Sequence, residues 1–389
     1  MRLLFVADGR SPIAQNWIRY FAERGDEIYL ASTFACAVDF PHKRMEITSV
    51  AFSAVKKQTS QPGSVSGRTS GLRTLIRQWF GPLTISRSAQ RLRAFIQEVK
   101  PDLVHAMRVP YEGMLAADAY AGVPLLISIW GNDFTLHAPS TPLMRYHTRK
   151  AMNVTHAIHA DCERDIRLAH AWGLSVEKPT LVTPGNGGIR SDVFYQPQIP
   201  VKGPIIINPR GFRAYVNNEA YYKAIPLVLE KRNDAKFIFS SMAGKSQALQ
   251  WMKKLNIEHA VQLNPQLSHA QMAEIFRSAQ IVVSPAIHDG TPNSLLEGIA
   301  CGCFPIAGDL ESIREWITHG RNGLLVNPND PQSIADGILL AIQREDLRNE
   351  AAGLNANMIS TRADYGMNMK KVVEFYGEVV RETSRQVDK

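Results

Sequence analysis

The chain has 389 residues, 45% of them hydrophobic, 21% charged and 8% aromatic, with a formal net charge of +8. At about 150 residues per domain this gives two folded domains and excludes a disordered or collagenous chain. No apolar run approaches the roughly 20 residues that span a bilayer. The N-terminal stretch 1–8 is too short, and too soon closed by Asp8, for a secretory leader, so a cytoplasmic protein is expected.

Residues 3–7 read as a buried strand, 13–24 as an amphipathic helix stopped by Gly25, and 27–31 as a second strand. From 47 to 97 there is no Asp or Glu, whereas Lys56, Lys57, Arg68, Arg73, Arg77, Arg87, Arg91 and Arg93 supply eight positive charges, the whole excess. Such a segment suits an anionic partner: nucleic acid, anionic lipid or a phosphate-bearing acceptor. No recognised nucleic-acid motif accompanies it, and a solvated loop is the plain alternative. Leu72, Leu75, Ile76, Trp79 and Phe80 interleave with Arg73 and Arg77, as in a segment lying on a membrane surface. A helix over 88–100 ends at Pro101, and 103–106 and 125–129 read as short strands.

The pattern breaks at 197–204 into linker chemistry, Gln-Pro-Gln-Ile-Pro-Val-Lys-Gly-Pro, flanked by a second alternating half. Strands are expected at 205–208, 236–240, 261–263 and 281–284, and helices near 219–231, 246–255 and 268–278. A last helical stretch, 367–385, suits packing back on the first half. The expected division is 1–198, 199–365 and 366–389. Strand and helix alternating in this way give an α/β protein with two doubly wound parallel sheets, ligands sitting at the carboxyl ends of the strands.

The most informative segment is 284–302, Ser-Pro-Ala-Ile-His-Asp-Gly-Thr-Pro-Asn-Ser-Leu-Leu-Glu-Gly-Ile-Ala-Cys-Gly. Thr291 followed by Pro292 is a favourable helix start, which would leave the amides of Asn293, Ser294 and Leu295 to hold an anion. Asp289 and Glu297 frame that start at a spacing of eight. Carboxylates accept paired hydroxyls and repel phosphate, so the ligand this pattern suits is a phosphate bracketed by polyhydroxy groups, as in a nucleotide sugar. Cys36, Cys162, Cys301 and Cys303 have no zinc-site spacing and read as free thiols.

This segment resembles the acid-x7-acid motif of the retaining GT-B glycosyltransferases of family 4. Residues 305–331, from Pro-Ile-Ala-Gly-Asp-Leu-Glu-Ser to His319-Gly-Arg-Asn-Gly-Leu-Leu-Val, are similar to the strand, loop and hairpin beyond the motif in that family, and Thr183-Pro-Gly-Asn-Gly-Gly resembles its turn closing the first domain. The resemblance implies a GT-B fold, two Rossmann-like domains facing a central cleft. It implies that Glu297 holds the nucleotide's ribose, that Asp289 takes sugar hydroxyls, and that the backbone of Gly290, Thr291, Pro292, Asn293, Ser294 and Leu295 meets the sugar and diphosphate. Arg210 and Arg213 correspond to the family's cationic site for the leaving group. The family usually has Glu at the place of Asp289, and Asn217 and Asn218 stand near where its downstream Lys is expected. Gly9 would face the diphosphate, and Trp130, Asn132 and Asp133 the donor or acceptor sugar. The implied reaction is metal-independent transfer from a nucleotide sugar, UDP-linked in preference to GDP-linked, to a glycan or lipid-linked acceptor in polysaccharide assembly, peripheral to the inner membrane face through 56–93. No other cofactor is implied. A catalytically idle scaffold binding nucleotide sugar or glycan is the alternative. A dinucleotide-dependent oxidoreductase is disfavoured, because Asp8-Gly9-Arg10-Ser11-Pro12 lacks the three-glycine fingerprint.

Overall fold

The computed structural model describes residues 1–53, 75–198, 203–213 and 215–387. Lys56, Lys57, Arg68, Leu72 and Arg73 of the basic run lie outside the described residues. The chain divides into two compact units, Met1–Gly187 with Met369–Lys389, and Gly188–Asn368. The division precedes the expected 198/199 break because Ile189 and Phe194 are buried in the second unit's core.

The first unit carries a seven-stranded sheet in the order β3-β2-β1-β4-β5-β6-β7, with every neighbouring pair parallel. Its central strands are β1 (Arg2–Ala7), β2 (Glu27–Ser32), β4 (Leu103–Ala106) and β5 (Leu125–Ile129). They are near-continuous apolar runs because helices cover both faces of a parallel sheet. In register, Phe5 faces Leu30 on one side and His105 on the other. Three strands have no clear apolar signal in the sequence: β3 (Arg44–Ile47), β6 (Ala157–Ala160) and β7 (Thr180–Val182).

The second unit repeats the plan with six parallel strands, β10-β9-β8-β11-β12-β13. These are β8 (Ile205–Asn208), β9 (Lys236–Phe239), β10 (Val261–Leu263), β11 (Ile281–Ser284), β12 (Phe304–Gly308) and β13 (Leu324–Val326). In both sheets the order reverses beside the first strand, between β1 and β4 and between β8 and β11, which opens a crevice at the strand ends where ligands bind. No helix among the described residues is long and apolar enough to cross a membrane.

The C-terminal helix Tyr365–Val387 returns from Met369 onward to the first unit. Tyr376 on it stacks on Phe21 and anchors a buried polar chain. The Trp17 indole N–H donates to Tyr376 Oη (3.0 Å), which meets His105 Nδ1 (2.5 Å). His105 Nε2 lies 2.7 Å from Ser128 Oγ, Ser128 Oγ 2.9 Å from His159 Nδ1, and His159 Nε2 2.9 Å from Thr183 Oγ1. The Thr183 carbonyl, 3.2 Å from His159 Nε2, only accepts and the Trp17 indole only donates, so with each hydroxyl donating once along the chain both imidazoles accept at Nδ1 and donate at Nε2, as neutral rings do.

Candidate functional site

In the second unit the functional side chains sit on the two loops that flank the β8/β11 crevice. After β8, Asn208 turns back, its Oδ1 accepting the Arg210 amide (3.0 Å) and its Nδ2 donating to Asn218 Oδ1 (3.2 Å). Asn218 Nδ2 in turn donates to the Gly211 carbonyl (3.0 Å). Gly211 has φ +62, which a side chain there would make costly. This network sets the direction of Arg210. Asn217 accepts the Ala220 amide and caps helix Asn218–Leu229. The two asparagines near the place of the family's lysine thus fix the turn and the helix start.

Arg210 reaches across to the loop after β11, where Nη1 donates to Asp289 Oδ2 at 2.7 Å and Nη2 to Oδ1 at 3.4 Å. Both side chains are 12% exposed. Burial works against the guanidinium's charge, but Asp289 and the Tyr215 ring beside it outweigh that and raise its pKa. The two residues expected to serve different parts of a donor therefore hold each other. Ser312 Oγ donates to the Asp289 carbonyl (2.7 Å), and Gly308 at the end of β12 passes so close that a Cβ there would lie 2.2 Å from the Ala286 carbonyl oxygen. The loop carrying Asp289 is thereby fixed from two sides. Arg213 lies exposed on its loop, in no ion pair among the described residues.

The helix after this loop is Asn293–Ala300. Its expected cap is corrected: Thr291 Oγ1 accepts the Trp316 indole N–H (3.2 Å), and Pro292 occupies the cap position with no side-chain hydrogen bond. The cap-then-proline signature does hold at Ser11, Thr141 and Asp330, whose side chains accept from the first turn. At Thr291 a competing indole takes the hydroxyl. The expectation of three unpaired amides is also corrected, since the Asn293 amide donates to the Thr291 carbonyl (3.0 Å) and that of Leu295 to the Pro292 carbonyl (2.8 Å). The Ser294 amide alone of these three keeps no protein acceptor among the described residues. Glu297 is half-buried one turn further on; burial pushes its carboxyl up to about 8, against the pull of Arg210. Gly290 is buried, its amide donating to Asp289 Oδ1 (3.2 Å).

In the first unit, Gly9 follows β1 and donates its amide to Ser32 Oγ (3.1 Å); a Cβ there would lie 2.4 Å from Cys36 Sγ, so only glycine fits. Asp133 differs from its expected sugar-contacting place. It is fully buried, its carboxylate accepting from Arg108 (2.6 Å), the Val109 amide (3.0 Å) and the Trp130 amide (3.2 Å). It ties the loops after β4 and β5 together because three donors converge on one desolvated acid. Trp130 and Asn132 remain half-buried on the same loop, and the Trp130 Nε1 has no hydrogen-bond partner among the described residues. Sequence reasoning missed Arg108, Glu112 and Phe34; nothing in their spacing marks them.

Two family models match the chain, glycosyl transferase 4-like over residues 2–161 and glycosyl transferases group 1 over 190–356. A D-inositol 3-phosphate glycosyltransferase of Thermobispora bispora is 26% identical over 136 residues, covering 34% of this chain and 31% of that one. The N,N'-diacetylbacillosaminyl-diphospho-undecaprenol alpha-1,3-N-acetylgalactosaminyltransferase of Campylobacter jejuni is 25% identical over 114 residues, 29% of this chain and 30% of its own. The matches thus span about a third of these curated relatives. Anabaena HepE, solved with UDP-glucose, superposes with a TM-score of 0.70 at 15% identity, over 97% of this chain and 100% of that one, and shares the fold. Two parallel-sheet units, each matched by its own glycosyltransferase model, place the chain among the GT-B glycosyltransferases of the family 4 type.

Proposed function

We propose that the protein is a retaining glycosyltransferase that moves a hexose from a UDP-sugar to a hydroxyl of a glycan or lipid-linked acceptor in polysaccharide assembly. The observation that carries this reading is the Arg210–Asp289 pair beside Glu297, a half-buried acid with no protein partner among the described residues. A diphosphate competes for Arg210, and its arrival frees Asp289 to accept sugar hydroxyls while Glu297 takes the ribose. Departure of the nucleoside diphosphate and attack by the acceptor oxygen occur on the same face of the anomeric carbon, the leaving phosphate oxygen taking the acceptor's proton. The protein's part is orientation and stabilisation of the charge growing on the diphosphate, through Arg210, Arg213 and the Ser294 amide. Support comes also from HepE, solved with UDP-glucose, and from the C. jejuni relative, whose name specifies a lipid-linked acceptor. Incubation with UDP-glucose and a phenyl-glycoside acceptor is expected to yield product of unchanged anomeric configuration by proton NMR, at the same rate with and without EDTA. An inverted product, or a rate abolished by EDTA and restored by a divalent metal, contradicts the scheme.

The setting proposed is the inner membrane face. Leu75, Ile76, Trp79, Phe80 and Leu83 are all more than 40% exposed on the described part of the basic run. Together with the cations of 56–93 they suit an anionic bilayer. Trp79→Ala is expected to weaken sedimentation with phosphatidylglycerol vesicles roughly tenfold, since burying an aromatic side chain contributes on the order of 1.5 kcal/mol or more. Equal sedimentation of variant and wild type removes the membrane setting.

A further inference from the structure

Three arginines gather at the carboxyl edge of the first unit's sheet, around the β1/β4 reversal. Arg10 follows β1 and holds Asp8 through two hydrogen bonds (2.9 and 2.8 Å). Arg108 follows β4 and holds Asp133. It keeps φ +141, a backbone region that costs a non-glycine residue on the order of 1–3 kcal/mol, so the surroundings impose its position. Arg77, on the helical turn 75–80, differs from both. Its guanidinium carbon lies 5.4 Å from the centre of the Phe34 ring and 5.3 Å from that of Tyr111, and Arg10 covers the same Phe34 ring at 3.5 Å. Its Nε is buried with no hydrogen-bond partner, and no acid pairs with it among the described residues.

The neighbouring groups do not neutralise this charge. Burial, with Arg108 and Arg77 beside it, brings His137 down to about 4, so the ring is neutral. Glu112 is buried, one oxygen accepting the Thr33 hydroxyl (2.7 Å) and the other without a partner among the described residues, so neither bonds Arg77, and burial raises its pKa. Asp8 and Asp133 are matched by Arg10 and Arg108, which leaves Arg77 in excess. A guanidinium with a desolvated, unsatisfied donor is completed best by an anion with several acceptor oxygens. The same turn displays Leu75, Ile76, Trp79 and Phe80 to solvent, so an anion held by Arg77 sits beside an apolar rim.

We propose that Arg77, supported by Arg10 and Arg108, forms a subsite for the phosphate of a phosphate-linked lipid acceptor, whose chain lies along Leu75, Ile76, Trp79 and Phe80. This rests on the reading of the protein as a glycosyltransferase only for the word acceptor. The ligand chemistry, a phosphate ester with an apolar tail, follows from the first unit's residues.

The test is titration calorimetry of the full chain with geranyl diphosphate, repeated on Arg77→Gln, Arg77→Lys and Arg210→Gln. Arg77→Gln is expected to weaken binding at least tenfold with an unchanged melting temperature, Arg77→Lys to recover part of the loss, and Arg210→Gln, which removes the donor-side diphosphate contact, to retain the Arg77-dependent binding. If Arg77→Gln does not fold, Arg77→Lys and Arg10→Gln are expected to weaken binding severalfold in its place. No binding by wild type, unchanged binding by these variants, or a loss confined to Arg210→Gln overturns the proposal. Inorganic pyrophosphate is expected to bind more weakly than geranyl diphosphate; equal affinity excludes the apolar rim and overturns the lipid-linked source. Phosphatidylglycerol vesicles separate the remaining source. Arg77→Gln is expected to sediment with them like wild type, and a variant that loses vesicles but keeps geranyl diphosphate assigns Arg77 to the bilayer headgroup and overturns the proposal. A UDP-glucose thermal shift on the same samples reads the donor separately. Its absence in wild type removes the glycosyltransferase reading and leaves the anion subsite to stand or fall on calorimetry.

Discussion

Arg210→Ala is expected to lower turnover about a hundredfold, the effect of removing one preorganised donor worth on the order of 3 kcal/mol at the developing charge. Arg210 also pairs with Asp289, each 12% exposed, so its removal strands an acid in a poorly solvated place. That loss costs stability as well, by up to about 3 kcal/mol. The two effects separate in a double variant. Arg210→Ala with Asp289→Ala is expected to regain part of the melting temperature lost by Arg210→Ala, because the stranded charge is gone, yet turnover stays low. Arg210→Lys keeps the charge but not the two-pronged geometry and is expected to fall between. Turnover within threefold of wild type in Arg210→Ala removes the leaving-group role. Turnover that recovers along with stability in the double variant shows that the pair is structural only.

Acid is expected to unfold the protein well above the pH at which its surface acids titrate. In the unfolded chain a histidine takes its proton near pH 6.5. Burial holds His159 down to about 4, against the Thr183 carbonyl that favours its charged form, and burial with the nearby His159 holds His105 lower than usual. Between these values the unfolded chain carries the extra proton, so stability is full above about pH 6.5 and falls as pH drops towards 4. For His159 alone the shift amounts to on the order of 3 kcal/mol. The geometry explains the cause, for a proton on either Nδ1 leaves two donors facing each other in the Trp17-Tyr376-His105-Ser128-His159 chain. Glu297 acts oppositely: its folded carboxyl is raised to about 8 while the unfolded one ionises in the ordinary carboxylate range, so the stability it contributes is lost progressively from that range up to about 8. Urea midpoints from pH 4.5 to 8.5 are therefore expected to peak near neutrality, with Tyr376→Phe displaced downward by about 2 kcal/mol because it leaves the Trp17 N–H and His105 Nδ1 without partners. A midpoint flat from pH 7 to 5 contradicts the neutral chain.

The strands that carry apolar runs were legible residue by residue: 103–106, 125–129, 205–208 and 281–284 coincide with β4, β5, β8 and β11. That both sheets are parallel follows from strand and helix alternating; where the order reverses, between β1 and β4 and between β8 and β11, does not. Strand β6 was not legible, because Ala157-Ile-His-Ala places a histidine at a fully buried position and only the tertiary partners Ser128 and Thr183 make that acceptable. At the site, the spacing of Asp289 and Glu297 located the helix start. It did not show that Thr291 is claimed by Trp316, 25 residues on, or that Arg210 crosses 79 positions to Asp289. Local patterns mark which residues carry chemistry; which of them satisfy each other is decided by contacts distant in sequence. Asp133 is the clearest case, since an acid in a Gly-Asn-Asp turn reads as exposed, and only the convergence of Arg108 and two amides buries it.

The central claim, that the second unit binds a nucleotide sugar with its ribose at Glu297, is tested most directly by thermal shift. UDP-glucose, UDP-galactose, UDP-N-acetylglucosamine, GDP-mannose, UDP and GDP are compared on the wild type and on Glu297→Ala. A ligand at a hundred times its dissociation constant stabilises the native state by about 2.7 kcal/mol, which moves the midpoint by several degrees. Stabilisation by the uridine ligands over the guanosine ones, lost in Glu297→Ala, is expected. No stabilisation of the wild type by any nucleotide, or full stabilisation of Glu297→Ala, contradicts it.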